Sequence, residues 1–308
     1  MRKVFGFGET VLDIIFKNGQ PQAAKPGGSI LNAFVSLGRL GWEPCFVSEY
    51  GQDDVGLLID DYLIKNGVNT KYINHFNDGQ SALALAFLDE NNNANYTFYM
   101  NFPDERLQEL PEDIGADDII LFGSIYASSK EVRKSVVRFL DMGLERGAII
   151  IYDPNFRRAH LAALEELKPR IIENLNYADI IRGSDEDFHL IFGADQPGQV
   201  IEIINDETKL LLYTQNSNNV KILLNSLEAN MPAEKIEPVS TIGAGDNFNA
   251  GIIHWLLKNA TTRAGLQLLQ EGELGDMART GINFATNVCL GFDNYISHDF
   301  ARSILGGK

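Results

Sequence analysis

Apolar positions along the chain fall into three kinds of run. Continuous runs rich in β-branched and aromatic residues occur at 3–7, 45–49, 119–122, 148–152, 178–182 and 209–213. Such runs predict strands buried on both faces. Between them the spacing changes. Ile30, Ala33, Phe34 and Leu37 fall at i, i+3, i+4 and i+7, and Gly38 and Gly41 follow. That pattern predicts a helix with a marked end. Further helices are predicted over 55–66, 130–146 and 281–290, and one from Phe248 onward, where Ile252, Trp255 and Leu256 share its face. Strand and helix alternate, which predicts an α/β fold with a mainly parallel sheet covered on both sides. The segment 80–101 reads differently. Alternating runs at 81–88 and 95–100 flank the polar tip Asp89-Glu90-Asn91-Asn92-Asn93, a hairpin signature. With the loosely alternating stretch 14–24 it predicts a small second sheet, inserted at about 11–26 and 80–101 as a lid. Residues 221–224 read as the hairpin partner of 209–213.

The 308 residues, 44% of them hydrophobic, suffice for a sizeable core in a single α/β domain over 1–308. The net charge of −16, with no block of Lys or Arg, argues against nucleic acid or anionic membrane as partners. Acidity does not exclude a phosphate ligand, because backbone amides can make a local positive site. Cys45 and Cys289 are read as reduced thiols. No signal-peptide pattern and no apolar run of membrane-spanning length is seen, so a cytoplasmic enzyme is expected.

Candidate chemistry centres on Ser240-Thr241-Ile242-Gly243-Ala244-Gly245-Asp246-Asn247-Phe248. A glycine turn feeds a helix whose first turn holds Asp246. Free amides at a helix N-terminus favour an anion, and glycines let it approach. A carboxylate beside that anion site suits a base that deprotonates a hydroxyl while the amides hold a phosphoryl group. In isolation, such a loop would be read as a tight turn with an acidic helix start. The wider pattern Thr241-x-Gly243-Ala244-Gly245-Asp246-x-Phe248 resembles the C-terminal motif of the ribokinase-like (PfkB) sugar kinases. That resemblance implies a three-layer α/β/α fold with a small β lid, Asp246 as base, and an anion hole formed by Gly243, Ala244 and Gly245.

Other stretches agree in order and separation. Gly8-Glu9-x-x-x-Asp13 is similar to the opening of the fructokinase and 2-keto-3-deoxygluconate kinase branches, which implies that Asp13 binds sugar hydroxyls. Gly27-Gly28-x-x-x-Asn32 resembles the family's N-terminal motif, which implies sugar contacts for Gly28 and Asn32; Phe34 stands where the family usually has Ala. Tyr99 is read either as facing substrate or as a packing aromatic. The arginine that fructokinase-like relatives carry near Met100 is missing. Arg157, in Asp153-x-Asn155-x-Arg157, is read as contacting the sugar or the transferring phosphoryl, or as pairing locally with Asp153. Ser184-x-x-Asp187 replaces the family's Asn-x-x-Glu. Ser184 is expected near the nucleotide, and Asp187 or Glu186 is expected to organise Mg²⁺ through water. Thr214 and Asn287 are expected to border the nucleotide. Gln215-Asn216-Ser217-Asn218 replaces a glycine-bearing turn, and Asn tolerates its backbone angles. Ser240 replaces an aspartate associated with a monovalent cation, which argues against such activation.

Rival motifs fail. Gly6-x-Gly8 lacks the third glycine of a dinucleotide fingerprint, and no P-loop, zinc-type His pair or Gly-x-Ser-x-Gly elbow is present. The resemblance therefore implies an ATP- and Mg²⁺-dependent sugar kinase. Fructose is the first expected acceptor, and ketodeoxygluconate, with Arg157 on its carboxylate, the second. A nucleoside kinase and a catalytically silent relative are the alternatives. The lid edge is a candidate homodimer surface.

Overall fold

Alternate side chains of each continuous apolar run feed two different cores. Ile119, Leu121, Ile149 and Ile151 belong to one buried cluster; Ile120, Phe122, Ile150 and Tyr152 belong to the other. A strand's period of two explains the division, and it places the sheet between two helical layers. The computed structural model describes residues 2–90, 94–215 and 219–306.

In chain order the elements are β1 (Val4–Phe7), β2 (Val11–Lys17), β3 (Gln20–Gly27), α1 (Ser29–Arg39), β4 (Cys45–Gly51), α2 (Asp54–Lys65), β5 (Asn69–Phe76), β6 (Gln80–Leu88), β7 (Ala94–Asn101), β8 (Ile119–Gly123), α3 (Arg133–Arg146), β9 (Ile149–Asp153), α4 (Leu164–Tyr177), β10 (Ile180–Ser184), α5 (Asp185–Phe192), α6 (Pro197–Ile204), β11 (Leu210–Gln215), β12 (Asn219–Leu224), β13 (Leu227–Pro232), α7 (Ala244–Lys258), α8 (Arg263–Leu266), α9 (Glu271–Cys289) and α10 (His298–Gly306).

Among the described residues the large sheet has the order β13-β12-β11-β10-β9-β8-β1-β4-β5. It is parallel from β11 to β5, and β12 and β13 add antiparallel strands at one end. Helices α1, α7 and α9 pack on one face, and α3 to α6 on the other. The chain runs outward from β1 through β4 and β5, then returns to lay β8 on the other side of β1. That reversal opens a crevice at the strands' carboxyl ends. There the Ser124 hydroxyl, just past β8, donates to Glu9 Oε2, just past β1, over 2.6 Å.

A second sheet, β3-β2-β6-β7, is built from two hairpins joined by the parallel pair β2 and β6. The β2–β3 turn is Asn18-Gly19, with φ of 52° and 72°. Both positive angles suit a two-residue turn whose twist matches the strands. Asp13 lies within β2, in this second sheet.

Gly6 and Gly8 have a packing role. A side chain on Gly6 would meet the Phe34 ring within 2.4 Å, and one on Gly8 would meet Ile30 within 2.6 Å. Phe34, which departs from the family pattern, fills the space that Gly6 leaves and lets α1 lie close on β1.

Candidate active site

Helix α7 starts at Gly243, whose φ of 83° is left-handed; a side chain there would also strike the Asn294 carbonyl at 2.6 Å. These two constraints fix the turn, in which the Ala244 amide donates to the Thr241 carbonyl over 3.3 Å while the Gly243 and Gly245 amides have no partner among the described residues. Asp246, in the first turn, is only 7% exposed. Asn32 Nδ2 donates to its Oδ2 over 2.9 Å, and Asn155 Nδ2 donates to its Oδ1 over 3.1 Å. Burial pushes the Asp246 carboxyl up to about 7; the Asn32 amide opposes the shift, Asp153 adds to it, and Arg157 and Arg182 work against it. Its acid–base midpoint thus sits near neutrality, which suits a general base.

Beneath the turn lies a buried polar floor. Arg182, in the middle of β10, donates from Nη1 to Asp153 Oδ2 and from Nη2 to Thr214 Oγ1, each over 2.9 Å. Asn249 of α7 donates to the same Asp153 oxygen over 2.7 Å. The guanidinium lies against Gly245, where a Cβ would come within 2.6 Å of Nη1. The ends of β9, β10 and β11 are thereby tied to the first turns of α7. The sequence signal for Arg182 is a charge inside an otherwise apolar parallel strand, which requires a buried partner. That partner is Asp153, so the local Asp153–Arg157 pairing considered above does not form. Arg157 is exposed; its carbonyl accepts from the His160 amide over 2.8 Å, and its guanidinium makes no hydrogen bond or ion pair among the described residues.

Ser184 and Asp187 form a capping box at the start of α5. Asp187 Oδ2 accepts from the Ser184 amide and hydroxyl, and Oδ1 from the Phe156 amide over 2.6 Å. Oδ2 thus caps α5 and Oδ1 ties the 153–157 loop to it, so both oxygens of the expected metal-organising carboxylate are engaged by protein donors. Glu186 is at the surface, paired with Arg158. Among the described residues no three His, Cys, Asp or Glu side chains cluster to hold a metal. A Mg²⁺ that keeps its waters and arrives on nucleotide phosphates fits these residues better than a protein-caged ion.

On the sugar side, Gly28 caps α1 with φ of 142°, and a Cβ there would meet the Glu9 carbonyl at 2.3 Å. Asn32 Oδ1 and Ser29 Oγ are buried without a hydrogen-bond partner among the described residues. Asn32 donates from its Nδ2 to Asp246, so its unpaired Oδ1 lies beside that carboxylate. Asp13 packs against Gly27, and burial raises its carboxyl to about 6. Across the lid, Asp13 pairs with Ala84 and Ala84 with Phe98. Phe98 and Tyr96 therefore share Asp13's face, and the Tyr96 hydroxyl feels the charges of Asp13 and Arg157. Tyr99 pairs with Leu83, next to Leu12, on the opposite face. The aromatic turned toward Asp13 is thus Tyr96, not Tyr99.

On the nucleotide side, Thr214 is held by Arg182, and Asn287 Oδ1 accepts the Ser297 amide over 2.9 Å. The 216–218 turn lies outside the described residues.

The sequence matches the pfkB family of carbohydrate kinases over residues 1–290. It is 27% identical over 281 residues to fructokinase-1 of Oryza sativa subsp. japonica, covering 87% of each chain. It is 25% identical over 264 residues to probable fructokinase-4 of Arabidopsis thaliana, covering 81% of each. The solved fructokinase with bound ATP from Xylella fastidiosa has the same fold, with a TM-score of 0.85 at 20% identity over 100% of this chain and 99% of that one. So does the aminoimidazole riboside kinase of Salmonella enterica complexed with aminoimidazole riboside and an ATP analog, with a TM-score of 0.82 at 19% identity over 98% and 99%. No helix among the described residues is long and apolar enough to cross a membrane.

Proposed function

The chain belongs to the pfkB family of carbohydrate kinases, and from that premise we propose that it transfers the γ-phosphoryl group of ATP to a hydroxyl of fructose, with Asp246 as general base. It is a sugar phosphotransferase of the fructokinase-like kind. The observation that carries the role of Asp246 is its burial between two amide donors in the first turn of α7, a few residues from a left-handed glycine turn.

In this reading Asp13, Gly28 and Asn32 hold the sugar, and Ser29 Oγ and Asn32 Oδ1 find their partners in its hydroxyls. Asp246 takes the proton of the attacking hydroxyl. The amides of residues 243–245 stabilise the charge on the transferring group, and Arg182 lies beneath them. Mg²⁺ bound with the nucleotide neutralises phosphate charge. Ser184 and Thr214 frame the nucleotide side through their contacts with Asp187 and Arg182, and Arg157 is free to meet the sugar or the phosphoryl. The fructose assignment draws on the curated relatives named fructokinase. Ketodeoxygluconate and nucleosides are the competing acceptors. The protein is further read as cytoplasmic, and as a homodimer through the exposed edge strand β7, where Phe98, Tyr99 and Met100 face solvent. Light scattering that shows only monomer would remove the dimer.

The test is ATP-dependent ADP release across fructose, ketodeoxygluconate, ribose and adenosine. Turnover strongest with fructose is expected. Silence across all four acceptors, with sugars still raising the melting temperature, would leave a binding protein instead.

A further inference from the structure

We propose that Asn155 is the positioning residue of the base: its side-chain amide fixes Asp246 Oδ1, the oxygen that receives the proton, and serves that oxygen in both protonation states. The proposal rests on Asp246 being the base.

Asn155 is held from two sides. Its own amide N–H donates to Asp153 Oδ1 over 3.0 Å, and the next residue, Phe156, donates to Asp187 Oδ1 over 2.6 Å. Its φ of 40° is left-handed, a region where Asn is tolerated but most side chains are strained. The loop therefore delivers the amide to Asp246 from a fixed point. Asn32 takes the other carboxylate oxygen from α1, so each oxygen has its own donor and the plane of the carboxylate is set.

The two amides are not equivalent. Asn32 is 5% exposed within a helix, and its free Oδ1 is turned to a buried site. Asn155 sits in a loop and is only partly buried. In the transfer step the sugar O–H bond breaks and its proton goes to Asp246 Oδ1. The oxygen's electron pair forms the new O–P bond, and the bond from phosphorus to the ADP oxygen breaks with its pair. The resulting acid O–H would face the Asn155 N–H, donor against donor. Turning the Asn155 amide about its last torsion presents its carbonyl as acceptor, a motion the loop position permits and the α1 position does not. The charged groups around Asp246 are Asp153, Arg157 and Arg182; none of them can change from donor to acceptor on demand.

Asn155→Gly and Asn155→Asp test this. Gly accepts the left-handed angle, so the first variant keeps the backbone and loses the amide. The carboxyl titration of Asp246 is followed by NMR on protein labelled with ¹³C at aspartate carboxyls, the resonance assigned by its loss in Asp246→Asn. The bond to the carboxylate is charge-assisted and about twice as strong as the neutral bond that replaces it on protonation, so losing both should still move the midpoint up, by roughly half a unit to one unit in Asn155→Gly, and further in Asn155→Asp. The acid limb of kcat/KM, measured with fructose and MgATP, should move with it. A midpoint in Asn155→Gly equal to the wild-type value would overturn the assignment. Should Asp246→Asn keep its turnover, the base reading itself falls; if that variant is dead and Asn155→Gly titrates unchanged, only the role of Asn155 falls.

Discussion

Two carboxyls line the crevice under different regimes. Asp246, on the floor, is buried and bound by an amide on each oxygen, and its neighbours Asp153 and Asp187 are each held by at least three donors. Asp13, in the lid, is raised by burial alone and accepts no hydrogen bond among the described residues. The lid around it is thin: Ala84 and Ala86 at its centre, Tyr96 and Phe98 largely exposed. A tie to the body is Lys25–Asp293, at 2.7 Å. The difference separates preorganised electrostatics, which must not move, from a cover that must. Changes to the floor should therefore act on kcat and stability, and changes to the lid on KM for the sugar.

The largest effect is expected at Arg182. Arg182→Met leaves Asp153 buried without its cation, which should cost about 3–5 kcal/mol by denaturant unfolding, together with most turnover. Arg182→Lys should recover part of both. A Met variant as stable as wild type would mean that the floor is not held by charge.

Next comes pH. Asp246 and Asp13 have folded-state values of about 7 and about 6, above the ordinary carboxyl range. The native state therefore keeps protons that the unfolded chain has released. Their contribution to stability is complete below about pH 4 and is lost as pH rises through 7. Asp246→Asn removes the larger part of this. Its melting temperature should exceed that of wild type by several degrees more at pH 8 than at pH 5; an equal difference at both would contradict the shift.

Tyr96→Ala should raise KM for the sugar by roughly tenfold with kcat changed little, the scale of one lost buried contact, whereas Tyr99→Ala leaves KM alone. The reverse pattern would put the lid's two faces the other way round. The smallest effect belongs to Lys25→Ala. Its pair is partly exposed, at 27% and 57%, so about 0.2–1 kcal/mol is at stake, and it should fade in high salt.

The floor and the lid also differ in how far the sequence reveals them. The buried strands are plain from their apolar runs, and the Gly243-Ala244-Gly245-Asp246 turn from its composition. Asp53 caps α2, its side chain accepting from the Gly56 amide over 2.8 Å, a contact three residues apart in the chain. Contacts across distant strands are another matter. Asp153 meets Arg182 and not Arg157 because β9 and β10 lie side by side, a pairing that no local spacing encodes. Tyr99 and Tyr96 trade faces because a strand's period is two, and an odd separation reverses orientation. Asn18-Gly19, inside the loosely alternating stretch 14–24, signals the β2–β3 hairpin. Strands β5 and β13, at the sheet's two edges, carry few apolar residues and escape the pattern for that reason.

The pH dependence of kcat between pH 5 and 9, with fructose and saturating MgATP, tests the central claim most directly. For wild type the rate should climb about tenfold per unit up to about pH 7 and then level, following the ionisation of Asp246. In Asp246→Asn it should be flat and at least ~10²-fold lower at the plateau. A flat wild-type profile, or an Asp246→Asn rate close to it, would contradict a base at this position.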